Sequence, residues 1–411
     1  MIHQPPAGAR DLLPLDVTQK RWIEKRLRPV FEGWGYHRII TSTVERLDTL
    51  MAGGAIAQST VIQLQEREED SALALRPELT ASIARTAVTR MADTTFPQRL
   101  YYNANVFRRG KNNSHGSQQE FYQAGVELLG VGGLLADAEI LLLLQDCLQS
   151  LGLHQWRLIL GEAGLTRSLL RIFPDPLKPK VRQAIAQLDR LALEALPLTP
   201  EQQERALFLL DLRGRPEDVL QRVGQLELEP GERETLENLK SLIDLLGESS
   251  PRNGATKEGP ILDLSLIQPL DYYTGIVFEV VSETEFGPQS LGQGGRYDRL
   301  LSLYHPQGEM IPGIGFALKL ENLHQILLQT GQLPTRTPAP QTLVVPTSPR
   351  AYAAAFAHAQ TLRQNGEYIP VELDLSPHSS PSAVRQYARD RRIAQIAWIK
   401  GEGNAEIEIV G

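Results

Sequence analysis

Two extended, aromatic-rich runs flank a polar stretch, and no other feature of the chain limits its fold so strongly. RLYYNANVF (99–107) and the run from Phe121 to Leu129 are strand-like, and GKNNSHGSQQ between them is made of turn formers. The pattern is that of a β-hairpin with a long polar tip, so an antiparallel sheet stands at the centre of the N-terminal part.

Other elements fall into place around this hairpin. Trp22, Ile23, Leu27, Val30 and Phe31 recur at helical spacing, with Asp16 as the expected N-cap and Gly33 and Gly35 as the stop. A strand is expected from Tyr36 to Val44. SALALRPELTASIARTAVTR (71–90) begins as a strand and turns helical after Pro77. An apolar helix from Ala136 to Leu151 and a strand from Trp156 to Leu160 follow. Residues 166–247 change character: leucine recurs at helical spacing, and Thr199, Pro200 and Gln202 form a capping box with proline in the first turn. This region reads as a helical insertion, followed by the flexible connector SSPRNGATKEG. Strands are expected at Ile261–Leu264 and Gly275–Ser282. Gly292 to Leu303 reads as a glycine-rich turn entering a helix, and Ile314 to Leu328 as a further helix. LPTRTPAP (333–340) is the clearest boundary. The expected organisation is a core over 1–330, a linker over 331–340 and a tail over 341–411. The tail alternates strand and helix, as a small α/β domain with a largely parallel sheet does.

Composition narrows the function. In 411 residues, 42 Lys+Arg against 49 Asp+Glu leave a net charge of −7, which argues against tight non-specific binding to nucleic acid. The one cysteine, Cys147, lies in a leucine-rich helical run and excludes an intramolecular disulfide or a CxxC site. The eight histidines are scattered, and no HExxH, GxSxG or GxGxxG pattern occurs. Gly110-Lys111 is followed by Asn112, so it is no phosphate loop. No metal and no cofactor are expected. The start has no secretory pattern and the longest apolar run, around Ile140–Leu144, is too short for a membrane span, so cytoplasmic residence is expected.

Six motifs occur in order: PPAGARDLLP, LALRPELTA, FRRG…QQEFYQAGVELLG, LDYYTGIVFE, LGQGGRYDRLL and PGIGFALKLENL. Together they resemble the catalytic core of histidyl-tRNA synthetase over roughly residues 5–330, and LDYYTGIVFE is a hallmark of that family. The resemblance implies an α+β, class II aminoacyl-tRNA synthetase-like fold: an antiparallel sheet core with helices, a helical insertion and a small C-terminal α/β domain. It places a histidine-holding pocket at Glu78, Thr80, Gln123, Glu127, Tyr272 and Tyr273, all present here. Carboxylates, an amide and a hydroxyl suit an α-ammonium group, and a Glu–Tyr pair suits an imidazole.

The departures decide the expected role. Adenylation builds negative charge on a carboxylate and a phosphate, which guanidinium groups must hold. The family's arginine before LDYY is Gln268 here, and the one that grips ATP phosphate in the last motif is Asn322, with Lys319 for a glycine. The motif-two arginine is kept as Arg108, but Gly110 replaces the glutamate that should follow and Ser117 stands for the loop arginine; Ser42 stands for the first motif's proline. Losing one such donor costs roughly 2.7–4 kcal/mol at a transition state. No catalytic residue is therefore expected. The combination resembles the ATP phosphoribosyltransferase regulatory subunit family. That resemblance implies a non-catalytic partner of a short-form catalytic subunit, L-histidine as feedback effector, and a homodimer within a hetero-oligomer. From Arg336 onward eight Lys+Arg face seven acids, and the Arg385, Arg389, Arg391 and Arg392 cluster reads as a solvated helix face, so tRNA is not an expected partner. The resemblance also implies that the tail is a shortened anticodon-binding-like domain. The competing readings are a divergent working histidyl-tRNA synthetase and a synthetase paralogue that binds RNA or transfers an amino acid.

Overall fold

A computed structural model describes residues 5–54, 56–64, 72–110, 118–249, 259–266, 272–284, 287–364, 369–375, 380–401 and 404–410. The chain divides at Leu333/Pro334 into two compact units.

The first unit is built on a nine-stranded sheet. Its centre consists of β1 (Gln98–Phe107), β2 (Glu120–Leu129), β3 (Arg157–Glu162), β4 (Ile276–Thr284), β5 (Gly287–Arg296) and β6 (Gly313–Lys319). They lie in the order β1-β2-β6-β5-β4-β3, each pair antiparallel. The hairpin forms as its pattern requires, with Gln98 opposite Leu129 and Phe107 opposite Glu120. One face carries Val126, Leu128, Phe316, Phe278 and Leu160 into a core shared with helices α1 (Pro14–Gly33) and α3 (Leu134–Ser150). Cys147 is buried there. Successive residues of a strand point to opposite faces. The alternate positions therefore meet α2 (Thr80–Thr89), which packs with Leu100, Tyr102, Tyr272, Tyr273 and Tyr297 in a second cluster.

The helical region, from Ala163–Leu169 to Pro230–Ser249, does not form a separate core. Its Leu165, Leu209, Leu239 and Leu246 belong to the same apolar cluster as α1 and α3. It also contributes the short strand Arg213–Gly214, which pairs with Ile261–Asp263 at the edge of the sheet. Thr199 and Gln202 make the reciprocal capping box expected of them.

Four expectations are corrected. Helix α1 begins at Pro14, and the Leu13 N–H donates to Asp16 Oδ2 at 2.9 Å, so Asp16 sits in the first turn rather than at the cap. The segment Gly292–Arg296 is not a turn but the C-terminal half of β5, and Ile314–Lys319 is strand before α4 (Leu320–Gln329) begins. A Cβ on Gly294 would lie 2.5 Å from the Phe278 ring, and one on Gly292 2.9 Å from Ala317 O. These glycines are there because neighbouring side chains and strands occupy the space, not because the chain turns. The expected strand from Tyr36 to Val44 is instead two short pieces, His37–Arg38 and Val44–Arg46.

The second unit is a four-stranded sheet. Val371–Leu373, Thr342–Pro346 and Gln395–Ile399 are parallel, and Ala405–Ile409 closes the edge antiparallel. Two of the four clustered arginines are paired in place, Arg385 with Glu408 and Arg391 with Glu372, while Arg389 bonds Gln386 and Arg392 the Thr337 carbonyl. Among the described residues no helix is long and apolar enough to cross a membrane.

Two glycines test the account of β5. Gly294→Ala forces a methyl into the Phe278 ring and should destabilise the protein by roughly 1–3 kcal/mol or more in urea unfolding. Gly247→Ala, on a helix with nothing within 4 Å of its Cβ, should be neutral or stabilise by up to about 1 kcal/mol. Equal effects would show that packing does not dictate the glycine at 294.

Candidate functional site

The sequence-selected residues meet on the α2 side of the sheet. Glu127 on β2 stands in register with Leu100 of β1 and Gly315 of β6, and Gly315 with Gly295 of β5. A Cβ at Gly315 would collide with the Glu127 carboxylate, and one at Gly295 would lie 2.8 Å from the Tyr273 ring. Two strands are thus reduced to bare backbone beneath the two side chains, which lie down on the sheet rather than standing off it.

Each oxygen of Glu127 has a hydroxyl donor. Thr80 Oγ1 donates to Oε1 at 2.7 Å, and the Tyr297 phenol donates to Oε2. The carboxyl is 2 % exposed. Burial pushes its pKa up to about 8, in spite of both donors. Tyr272 and Tyr273 meet edge to face with centroids 4.8 Å apart, and Tyr272 does the same with Tyr297 at 5.7 Å. Burial raises all three phenols, so they are donors at any physiological pH.

Glu78 has a second task. It accepts the backbone N–H groups of Thr80 and, at 2.9 Å, Ala81, satisfying orphan donors at the start of α2. Burial raises its pKa against those bonds and against the Arg108 charge. Arg108 donates to Pro77 O at 2.8 Å, and its own burial lowers its pKa. Gln123 shares the face with Glu127 but lies four residues back along β2, roughly 13 Å away at the rise of a strand, opposite Lys319. It marks the far end of the same face.

Lys319 and Asn322, two positions that depart from the synthetase pattern, lie at that end. Asn322, in the first turn of α4, donates its amide to Ser290 O at 2.6 Å and is spent on backbone. Lys319 donates to Ser290 Oγ at 2.7 Å; burial lowers its pKa, Glu279 raises it and Arg108 lowers it again. A cation therefore remains at this edge, held by the protein itself. Gly110 follows Arg109, whose N–H bonds Thr60 O. Gln268 and Ser117 lie outside the described residues. Among the described residues no group of three or more His, Cys, Asp or Glu could hold a metal ion.

Tyr297 was not singled out from the sequence, although it completes the site. It lies two residues after Gly295, and strand parity would have placed it on this face had the glycine-rich segment been taken as a strand.

The raised carboxyl gives a pH prediction. Between pH 4.5 and about 8 the folded chain keeps the Glu127 proton that the unfolded chain releases, so stability falls as pH rises through that window. Asp137, raised to about 6, acts in the same sense over its own range. In Glu127→Gln the stability–pH curve from urea unfolding should be flatter between pH 5 and 8 than in the parent. Superimposable curves would contradict the assignment.

The comparisons with known proteins agree with this geometry. A family model described as histidyl-tRNA synthetase matches residues 8–323. An ATP phosphoribosyltransferase regulatory subunit from Trichormus variabilis is 63 % identical over the full length of both chains, and one from Cyanothece sp. is 58 % identical, again over the full length of both. A crystal structure of an ATP phosphoribosyltransferase regulatory subunit/histidyl-tRNA synthetase from Bacillus halodurans aligns with TM-score 0.79 at 26 % identity, covering 98 % of this chain and 99 % of that one. Histidyl-tRNA synthetase from Nostoc sp. shares the fold, with TM-score 0.76 at 23 % identity over 99 % and 97 % of the two chains. The full-length identity, on a class II synthetase-like core, shows that this chain belongs to the ATP phosphoribosyltransferase regulatory subunit family.

Proposed function

We propose that the chain binds L-histidine on the α2 face of its sheet and passes that binding to a short-form ATP phosphoribosyltransferase catalytic subunit, which it activates and holds under feedback inhibition. The observation that carries the proposal is the pairing of an intact amino-acid end with a spent phosphate end. Glu127, Thr80, Tyr297 and the tyrosine pair are assembled, while Asn322 is tied to Ser290.

In this reading the imidazole meets Glu127 and the phenols, the α-ammonium meets the acceptors of Glu78 and Thr80, and Gln123 borders the site farther along the face. The neutral imidazole accepts the Glu127 proton, and the imidazolium so formed holds the carboxylate in its charged form, since an adjacent cation favours it. Histidine shifts the complex by binding one of its states better; coupling of about 1–3 kcal/mol is enough for regulation. The assembly is a homodimer of this chain within a cytoplasmic hetero-oligomer, without tRNA.

Two measurements test the proposal. Isothermal titration with L-histidine should show binding that weakens at least about 30-fold in Glu127→Ala, since truncating one partner of a buried, hydrogen-bonded charge pair costs about 2–5 kcal/mol. Mixed with a short-form catalytic subunit, the chain should confer activity that histidine inhibits, and Glu127→Ala should keep the activity and lose the inhibition. Activity indifferent to the chain sinks the role, and unaltered inhibition in the variant sinks the pocket.

A further inference from the structure

A second space opens between the helical region and the sheet. It is a cavity of about 1150 Å³, walled by the helix Ala163–Leu169, one side of the helix Lys178–Ala186, and Val277, Asp298 and Arg299. Of the residues in the proposed histidine site only Tyr273 lines it.

Its charge runs against that of the chain. Arg167, Arg171, Lys178, Arg182 and Arg299 line it, against Asp175 and Asp298, a local surplus of three positive charges in a protein of net charge −7. The Arg167 guanidinium is fixed at the wall by one bond, Nη2 to Tyr273 O at 2.6 Å. Arg171 stands 3.6 Å from Glu229 with both side chains more than half exposed, and Lys178 pairs with the exposed Asp175. Such pairs hold their members weakly.

Asp298 lines the same wall with its side chain about a third exposed. Its Oδ2 accepts the Thr274 hydroxyl at 2.7 Å, and Arg296 Nη1 is 3.8 Å from Oδ1. A carboxylate oxygen accepts more than one hydrogen bond, so the carboxylate remains an acceptor for a hydroxyl in the cavity. Leu170, Leu266 and Met310 give the same cavity apolar surface.

We propose that this cavity binds a phosphorylated sugar or nucleotide. The guanidinium and ammonium groups take the phosphate oxygens. A sugar hydroxyl donates to the Asp298 carboxylate, and the ring packs on the apolar wall. A long polynucleotide suits the cavity less well, because Asp175 and Asp298 interrupt the positive surface and the chain as a whole repels phosphate.

Calorimetric titration of the full chain with ribose 5-phosphate and with adenosine 5′-diphosphate tests the proposal. At least one should bind with unit stoichiometry, more weakly at higher salt, and ribose alone should not. The double variant Arg171→Glu, Lys178→Glu should weaken binding at least about tenfold, while its unfolding midpoint stays within about 2 °C of the parent. Asp298→Ala should weaken the sugar-bearing ligands and leave inorganic pyrophosphate unaffected. No binding of either probe, equal binding by the double variant, or binding of a single-stranded RNA oligonucleotide alone would overturn the assignment. None of these readouts uses histidine, so the two sites stand or fall separately.

Discussion

A carboxyl group in the dry centre of the sheet organises the rest of the first unit. Glu127 lies where burial costs most, and the fold answers with two hydroxyl donors and with glycine on the neighbouring strand. Thr80 can reach it because Glu78 caps the start of α2 and sets the helix against the sheet. Tyr297 can reach it because β5 carries bare backbone at Gly295, on which Tyr273 rests. Helix, glycine strand and tyrosine cluster are therefore one arrangement seen from three sides.

The same sheet shows what a working synthetase end would need and what stands there instead. Asn322 offers an amide in place of a guanidinium, and that amide is used on Ser290 O. Lys319 keeps positive charge nearby, so the edge is not stripped of cations, but the ammonium is half-buried and bonded to Ser290 Oγ. A point charge held by the neighbouring strand does not clamp a phosphate as a free bidentate fork does. On the proposed reading, the amino-acid end and the phosphate end have thus diverged on one scaffold.

How much of this was legible depends on where the information resides. The β1–β2 hairpin is written locally, in alternation and a polar tip, and the Thr199 capping box likewise. β5 is not. Glycine disfavours strands, and its reason for standing at 292, 294 and 295 is the approach of Phe278, Tyr273 and β6, none of which is near in sequence. Taking that segment as a turn also hid Tyr297. β6 was misplaced because a short apolar run buried on both faces carries no period that separates strand from helix. The two-residue strand Arg213–Gly214 is too short to leave any pattern. The pocket residues were found through the family resemblance, and the structure adds their bonds: Thr80 and Glu127 belong together, whereas Gln123 lies at the other end of the face.

The central claim is that the amino-acid end is retained while adenylation has been given up. ATP–pyrophosphate exchange with saturating L-histidine tests it most directly. The account predicts no exchange above the histidine-free background, because Asn322 and the tethered Lys319 cannot hold the phosphate charge of the transition state. Histidine-dependent exchange at a synthetase-like rate would contradict it.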